Sequence, residues 1–136
     1  MPKETKEAAI TLLHIDYARF LLQLRDIKHW IPYPGHWGAF GGEVKSHENP
    51  EAAGRRELKE ELGYVPKTTR YFRDYYLDSN VHLYVFYSDI TVPFSDLRLM
   101  EGLDMGLFSL EEIYSLKLYS QKMGKSFPVP PLLGEF

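Results

Sequence analysis

The 136-residue chain contains no cysteine. Disulfides, thiolate zinc sites and cysteine nucleophiles are therefore excluded, and we expect oxygen ligands for any bound metal ion. The sequence also lacks an apolar run of about 18 residues, the length that a membrane-spanning helix needs, so no membrane partner is expected. Residues 1–7 are polar and lack the apolar core of a signal peptide. These absences predict a cytoplasmic protein.

An excess of positive charge is absent as well. The formal net charge of −3 leaves no basic footprint for a nucleic-acid polymer. With 44% hydrophobic residues, the chain has enough apolar content for one compact domain, residues 1–136, with a single core. Aromatic residues make up 15% of the chain, more than such a core needs, so some rings are expected to stack on a ligand. A small-molecule substrate is favoured.

Hydrophobic patterning predicts a β-sheet. Apolar runs over residues 8–15 and 19–24 predict a hairpin, and runs over 71–77 and 81–92 predict two strands that extend it. Residues 28–42 are rich in proline, glycine and aromatic rings, which predicts a loop that walls a pocket.

Capping residues predict two helices. Asn49 is a good N-cap and Gly63 a good C-terminal stop, which predicts a helix over Pro50–Leu62. Ser109 opens a capping-box pattern, which predicts a second helix that runs to about Met123.

The order of the elements predicts an α+β fold. Strands, helix, strands and helix in that order favour a sandwich in which a mixed sheet lies between helices. Three prolines within residues 127–136 predict an extended C-terminal arm. Together with the aromatic surplus, such an arm would suit a homodimer that exchanges it.

Three carboxylates cluster on the first predicted helix. Glu57, Glu60 and Glu61 fall within about 100° of arc, and Ala53 and Gly54, one turn earlier on the same stripe, predict a clearing beside them. Like charges at these spacings cost about 0.2–0.5 kcal/mol per pair unless a cation lies against them. A divalent metal ion is the obvious candidate, and an ordinary solvated helix face is the alternative.

The residues around this stripe have a fixed spacing. The segment reads Gly42, five residues, Glu48, seven residues, Arg56-Glu57-Leu58, one residue, Glu60-Glu61, one residue, Gly63-Tyr64. It resembles the Nudix box, the signature of the Nudix hydrolases. Every fixed charged residue and glycine of that pattern is present, and only Tyr64, where the family more often has an aliphatic residue, departs from it. The resemblance overturns the interpretation of the stripe as a solvated face.

The resemblance implies a fold and a reaction. The fold would be the α/β/α sandwich of the family, with a mixed sheet between helices. The reaction would be hydrolysis of a pyrophosphate bond in a nucleoside diphosphate derivative by attack of water at phosphorus. Mg²⁺ or Mn²⁺ would be the cofactor, since both prefer carboxylate, carbonyl and water oxygens.

The resemblance also assigns the metal site. Glu57, Glu60 and Glu61 match the metal-ligating and proton-accepting glutamates of the family, with Glu57 as ligand or base. The carbonyl of Gly41, just before the box, is often a metal ligand in relatives. Glu101 matches an additional metal-binding or catalytic glutamate on a later loop, for which Asp104 is the alternative.

Other positions would support the site. Glu48 resembles the residue that pairs with the box arginine, Arg56, although a solvent-facing glutamate is the alternative. Gly42 and Gly63 are the glycines of the box, and Gly63 also ends the helix.

Four residues outside the box are candidate substrate contacts. Arg25 matches a basic position that faces substrate phosphate in relatives, and a surface arginine is the alternative. Tyr33, His36 and Trp37 could contact a base or sugar, although a structural role is at least equally expected.

The box does not identify the substrate. A nucleotide sugar or a nucleoside triphosphate is favoured, and a nucleobase-sanitising triphosphatase is the close alternative. A glycosyl hydrolase of the GDP-mannose type is disfavoured, because such relatives usually lack part of the glutamate set. A non-catalytic nucleotide-sensing module is disfavoured because the box is complete.

Overall fold

The structure is a computed structural model that describes residues 5–29, 33–77 and 80–130. Its strands, within those residues, are β1 Lys6–Ile15, β2 Arg19–Leu24, β3 Trp37–Gly38, β4 Phe40–Glu43, β5 Arg70–Leu77, β6 Val81–Asp89, β7 Asp104–Ser109, β8 Lys117–Ser120 and β9 Lys125–Pro128. The helices are α1 Pro50–Leu62 and α2 Leu110–Tyr114, and a short 3₁₀ helix spans Phe94–Asp96.

Strand β1 organises the main sheet. Its residues 8–11 pair antiparallel with β4, and its residues 13–15 pair antiparallel with β2. On its other side β1 runs parallel to β6, which pairs with β5. Strands β3 and β7 pair with β2, so the sheet is mixed, and β8 and β9 form a separate hairpin. The change of partner along β1 brings β2 and β4 together beside α1.

The alternation of side chains divides the core between the two faces of the sheet. Helix α1 covers one face, where a cluster comprises Leu13, Leu21, Phe40, Leu58, Leu62 and Leu97. On the other face, the cluster around α2 and the β8–β9 hairpin comprises Leu22, Leu24, Trp37, Phe108, Ile113, Leu118, Phe127 and Val129. The predicted α+β fold, a mixed sheet between helices, is confirmed.

The predicted strands and first helix are observed with small changes. The hairpin of β1 and β2 and the pairing of β5 with β6 are confirmed. Strand β6 ends at Asp89, before the predicted Val92. Helix α1 has the predicted bounds, because both of its caps are made by residues next to it in the sequence.

The prediction of a continuous loop over residues 28–42 was wrong. Strands β3 and β4 lie in its second half, and Trp37 and Phe40 are fully buried. Residues 30–32 lie outside the described part of the chain.

The prediction of a second helix that reaches Met123 was also wrong. Helix α2 has the predicted capping box, but it ends after five residues. Leu116 then takes a left-handed conformation with φ 63°, and Leu118 and Ser120 turn inward with the period of two that is typical of a strand. Pairing with β9 stabilises this alternative to the helix.

The predicted extended arm over residues 127–136 needs correction at its beginning. Phe127 lies in β9, and both Phe127 and Val129 are buried in the core. The backbone N–H of Val129 donates to the carbonyl of Leu116 at 2.9 Å. These residues therefore belong to the folded body, and residues 131–136 lie outside the described part.

Candidate active site

Helix α1 is fixed at both ends by its own sequence. The side chain of Asn49 accepts a hydrogen bond from the backbone N–H of Ala52 at 2.8 Å, and Pro50 fits the first turn. At the other end Gly63 has φ 65°, and its N–H donates to the carbonyl of Lys59. These caps set the two ends of the helix that carries the three glutamates.

Small residues bring α1 close to the sheet. Ala53 is fully buried and packs against Ala9 of β1, and a Cβ at Gly54 would lie 3.2 Å from the Thr11 hydroxyl oxygen. The predicted clearing at Ala53 and Gly54 is therefore wrong, because both residues form the contact between helix and strand.

Glu61 is the buried member of the acidic stripe. Only 4% of the residue is exposed. The Gln23 side-chain amide donates to Oε1 at 3.0 Å, and the backbone N–H of Gly41 donates to Oε2 at 3.1 Å. A Cβ at Gly41 would lie 2.1 Å from the carbonyl oxygen of Ala9, so only glycine fits there. Strands β2 and β4 thus hold one carboxylate of α1 in place.

Burial changes the proton affinity of Glu61. Loss of solvation raises the pKa of its carboxyl group to about 7, and the negative charges of Glu57 and Glu101 act in the same direction. The hydrogen bonds from Gln23 and Gly41 oppose the shift. A nearby cation would therefore stabilise the ionised form of this carboxylate.

The guanidinium group of Arg56 is the cation that contacts the acidic stripe in this structure. Its Nη1 lies 2.8 Å from Oε1 of Glu57 and 3.3 Å from Oε2 of Glu60. Glu57 also lies against β4, since a Cβ at Gly42 would come within 2.6 Å of its carboxylate oxygen. Glu60 is half exposed. The three glutamates therefore range from buried to solvated, and Arg56 offsets part of their repulsion.

The expected pair of Glu48 and Arg56 is present. Arg56 Nε donates to Oε2 of Glu48 at 2.7 Å, and Nη2 donates to Oε1 at 3.1 Å. The Arg56 hydrogen bonds lower the pKa of Glu48 to about 2. Nη2 also donates to the carbonyl of Glu43 at 3.0 Å. One guanidinium group thereby ties the loop before α1 to the helix and to the end of β4.

The loop that carries Glu101 is joined to the C-terminal end of α1. The N–H of Met100 donates to the carbonyl of Glu61 at 2.8 Å, and Leu103 N–H donates to the carbonyl of Leu24. Gly102 has φ 95°, and a Cβ there would lie 2.7 Å from the same Leu24 oxygen. These backbone contacts bring Glu101 close enough for its charge to act on Glu61.

Asp104, the alternative to Glu101, is engaged elsewhere. Its Oδ2 accepts a hydrogen bond from the Ser120 hydroxyl at 2.7 Å, and its Oδ1 accepts one from the N–H of Met105. The geometry favours Glu101.

Comparison with known proteins agrees with this arrangement. Residues 5–128 match the family model of the NUDIX domain. The chain belongs to the Nudix family. It is therefore a Nudix hydrolase, and the family acts by hydrolysing pyrophosphate bonds in nucleoside diphosphate derivatives, generally with divalent metal ions.

Solved structures share the fold at low sequence identity. A MutT NUDIX hydrolase from Burkholderia pseudomallei has 23% identity and a TM-score of 0.69, over 80% of this chain and 86% of that one. A MutT protein from Methanosarcina mazei has 21% identity and a TM-score of 0.71, over 99% and 91% of the two chains. A mutT/nudix family protein from Listeria innocua has 16% identity and a TM-score of 0.66, over 98% and 90%. No curated protein matches the chain.

The candidate substrate contacts of this Nudix chain lie in different environments. Trp37 is fully buried, and its indole N–H donates to the carbonyl of Leu118 at 3.0 Å, so its expected contact with a substrate is wrong and the structural alternative holds. Tyr33 is 59% exposed and meets the ring of His36 edge-on. His36 is bonded through Nδ1 to the carbonyl oxygen of Pro34. Arg25 follows β2, and its N–H donates to the carbonyl of His36.

Gln23 is the site residue that sequence reasoning missed. It is 3% exposed, in a strand whose neighbours Leu22 and Leu24 are apolar. A polar residue on the buried face of a strand requires a partner, which is the signal that could have singled it out.

The donor set fits a hard divalent cation. Carboxylates from one helix, a glycine backbone and a further glutamate are the oxygen ligands that Mg²⁺ and Mn²⁺ prefer. Among the described residues, no three acidic or histidine side chains converge on one point as they stand. Two residues hold these carboxylates apart, because Arg56 contacts Glu57 and Glu60 while Gln23 contacts Glu61.

Within residues 5–29, 33–77 and 80–130, no helix has the length and hydrophobicity of a membrane-spanning segment.

Proposed function

We propose that this Nudix enzyme hydrolyses the pyrophosphate bond of a nucleotide sugar or a nucleoside triphosphate with Mg²⁺ or Mn²⁺, by attack of water at phosphorus. One observation carries the proposal. Glu61 is a nearly buried carboxylate held by two hydrogen-bond donors, and two further carboxylates, Glu57 and Glu101, act on it electrostatically. Such a cluster is costly without a cation. A metal–pyrophosphate complex would supply that cation together with the substrate.

Five residues would hold the metal. They are Gly41 through its carbonyl, Glu57, Glu60, Glu61 and Glu101. Once bound, the metal would acidify the attacking water and neutralise charge on the pyrophosphate bridge. Gln23 and Gly41 orient the Glu61 carboxylate, so its rotamer would already be fixed before the metal binds. Glu57, Glu60 and Glu101 are the candidates to accept the proton of the water.

Arg56 would help to switch the site between its free and loaded forms. Its Nη1 contacts Glu57 and Glu60, whereas its Nε and Nη2 stay on Glu48 and Glu43. A metal ion could therefore take over the carboxylates while Arg56 remains anchored at the other edge of its guanidinium group. The Glu48 pair would keep the loop and helix in register.

Further contacts would bind the rest of the substrate. Arg25, at the end of β2, would face phosphate, and Tyr33 and His36 would lie beside the base or sugar. The complete glutamate set favours attack at phosphorus over attack at a sugar carbon. We further propose that residues 1–136 act as one domain, that the protein works in the cytoplasm, and that a homodimer can form.

A substrate panel tests the reaction. The protein is incubated with Mg²⁺ or Mn²⁺ and nucleotide sugars, dinucleoside polyphosphates or triphosphates, and products are separated by chromatography. We expect metal-dependent turnover of at least one class. Absence of turnover of every member with both metals would contradict the proposal and favour a sensing module.

A variant pair tests the site. Glu60→Gln should lower kcat by about 10²-fold, since loss of a charge-stabilising group typically costs that much. Glu111→Gln on α2, also an exposed glutamate, is the matched control and should retain activity. A Glu60→Gln variant within a few-fold of the parent at saturating metal would show that Glu60 is not a ligand.

A further inference from the structure

Two adjoining cavities share the wall residues His14, Tyr17 and Tyr87, and the larger lies on the sheet face opposite α1. The larger, of about 310 Å³, is lined by residues of β1, β2, β5, β6 and α2, among them Leu12, Leu22 and Ile113. These three residues pack in the cluster on the α2 side of the sheet, away from the α1 cluster. A volume near 300 Å³ is at the lower end for small-molecule sites. The cavity is therefore separate from the carboxylates of α1.

Aromatic rings line the larger cavity. Tyr17, Phe20, Phe72 and Tyr87 are among its walls, and the Phe72 ring stands perpendicular to that of Tyr87 at a centroid distance of 6.4 Å. Tyr17 and Phe72 are 63% and 40% exposed. Large rings left in contact with water around a cavity favour a flat ligand that would cover them.

His14 lies where the two cavities meet. It lines both of them, although it is only 1% exposed. Its Nδ1 accepts a hydrogen bond from the backbone N–H of Tyr17 at 3.1 Å. Burial lowers the pKa of His14, against the opposing charges of Asp89 and Asp16, which favours the neutral ring. Oδ1 of Asp89 lies 3.3 Å from the same Nδ1, but the hydrogen bond that Nδ1 accepts from Tyr17 places the ring proton on Nε2. Within the described residues nothing accepts a hydrogen bond from Nε2.

The smaller cavity, of about 150 Å³, is polar and carries two cations. Lys67 and Arg70 line it, both are exposed, and neither forms an ion pair with any other residue that the structure describes. Asp89 is the acidic residue of this lining. His14, Tyr17 and Tyr87 are walls of both cavities, so the basic end adjoins the aromatic end.

We propose that these cavities form a second binding site, separate from the carboxylates of α1, for a small molecule that joins a flat aromatic ring to an anionic group. The ring would lie among Tyr17, Phe20, Phe72 and Tyr87. The anion would lie between Lys67 and Arg70, and His14 would donate a hydrogen bond to the ligand from Nε2. The site does not depend on the hydrolytic reaction.

Direct binding of simple probes tests the site. 1-Naphthyl phosphate, 1-naphthoate and uncharged 1-naphthol are titrated at pH 7 in EDTA, so that metal-dependent binding at α1 is suppressed, and ¹H–¹⁵N and methyl NMR spectra are recorded. We expect saturable shifts at Leu12 and Ile113, with a Kd below about 1 mM for at least one anion. The Kd of 1-naphthol, which lacks the anionic group, should be at least about tenfold higher. The tighter anion distinguishes a phosphate site from a carboxylate site.

Variants locate the bound probe. Phe72→Ala and the pair Lys67→Glu with Arg70→Glu should each weaken the anionic probe by about tenfold. Leu110→Trp, at a half-exposed wall of the cavity, should fill it and abolish binding even if Phe72→Ala perturbs the strand.

Control variants test whether the probe binds elsewhere on the protein. Tyr76→Ala is the control for Phe72→Ala, because it removes an exposed ring from the same strand outside the cavity lining. Lys117→Glu with Lys122→Glu makes the same charge change as the Lys67 and Arg70 pair at another part of the surface. Glu60→Gln alters the acidic stripe of α1. All three should leave the Kd within two-fold. Absence of saturation, unchanged affinity in the cavity variants, or loss of affinity in Glu60→Gln would overturn the proposal.

Discussion

Glu61 carries opposing demands in one side chain. Its burial raises its pKa to about 7, while its hydrogen bonds from Gln23 and Gly41 favour the ionised form. At neutral pH without a metal ion the carboxyl group therefore titrates close to the ambient pH. Under the proposed function Glu61 would bind a metal ion only in its ionised form, so protons and metal would compete for this group.

The pH dependence of stability follows from the direction of this shift. Because the pKa of Glu61 is raised on folding, its stabilising contribution is complete below about pH 4.5 and is lost as pH rises through about 7. Between pH 5 and 8 in EDTA, the free energy of unfolding of the parent should fall relative to that of Glu61→Gln by at most about 3 kcal/mol. Urea unfolding of both proteins at both pH values measures this.

Comparison of the two proteins removes other titrations. The pKa of His14 is lowered, which makes stability rise with pH in the same window, but His14 is present in both proteins. An identical stability difference at pH 5 and pH 8 would show that Glu61 does not titrate there.

Gln23 should matter through Glu61. Gln23→Met keeps the shape of the side chain but removes the donor to Oε1. We expect the apparent affinity for Mg²⁺ and the value of kcat/KM each to fall about 10- to 100-fold, because partners of ligating groups typically have effects of that size. Metal titrations of activity measure both.

An exposed glutamine provides the control for Gln23. Gln121→Met makes the same change in a turn between β8 and β9 and should have no effect on either quantity. If Gln23→Met lost stability alone, with metal affinity unchanged, Gln23 would be a core residue and not a positioning residue.

Local spacing predicted some site residues and not others. Helical periodicity places Glu57, Glu60 and Glu61 on one face of α1. The contact between Arg56 and Glu48 joins residues only eight positions apart, across the N-terminus of the same helix. The contact between Gln23 and Glu61 joins residues 38 positions apart, so it depends on the register of the whole sheet. No local pattern contains that information.

Arg56 links three parts of the chain, and its geometry is specific to arginine. Nε and Nη2 make a two-pronged contact with Glu48, Nη2 also reaches Glu43, and Nη1 reaches the glutamates of α1. Arg56→Lys keeps the charge but cannot make these contacts together. We expect about a tenfold loss of kcat/KM and a loss of roughly 1–2 kcal/mol in the free energy of unfolding.

Arg55 is the matched control for this change. It precedes Arg56 on the same helix and is half-buried, so Arg55→Lys tests the general effect of the substitution. We expect activity and stability close to those of the parent. Equal effects of the two substitutions, measured by turnover and urea unfolding, would show that the Glu48 contact does not position α1.

The two helices show when an element can be predicted from sequence. Helix α1 ends where its own caps lie, so its bounds followed from Asn49 and Gly63. Helix α2 begins at a predicted capping box, but its end is decided by pairing of β8 with β9. Leu118 and Phe127 pair in that hairpin and are both buried in the core, and this tertiary packing overrides helical propensity.

The sheet as a whole assembles the acidic site. Because β1 pairs with β4 along one half and with β2 along the other, Gly41 and Gln23 both reach Glu61. Of the strands in the described residues, β1, β2, β5 and β6 were predicted from the sequence, whereas β3, β4, β7, β8 and β9 were not. These strands are short or carry polar residues, and their pairing partners, not their own sequence, define them.

Metal binding should stabilise the entire fold. A ligand that binds only the folded state at 100 times its Kd adds about 2.7 kcal/mol to the free energy of unfolding. Saturating Mg²⁺ or Mn²⁺ should therefore raise the Tm, and Glu57→Gln or Glu60→Gln should reduce the increase. Differential scanning calorimetry measures the Tm in EDTA and in each metal. A Na⁺ buffer of equal ionic strength without divalent cations is the control for the effect of salt. An equal increase in parent and variants would place the metal elsewhere.

The position of bond cleavage tests the central proposal most directly. A nucleotide sugar or triphosphate that the enzyme turns over is hydrolysed with Mg²⁺ in H₂¹⁸O, and the products are analysed by mass spectrometry. Attack of water at phosphorus predicts one ¹⁸O atom in a phosphate group of a product, with the label formed at a rate that Glu60→Gln reduces about 10²-fold. Label in the sugar hydroxyl, or turnover unaffected by Glu60→Gln, would contradict the account.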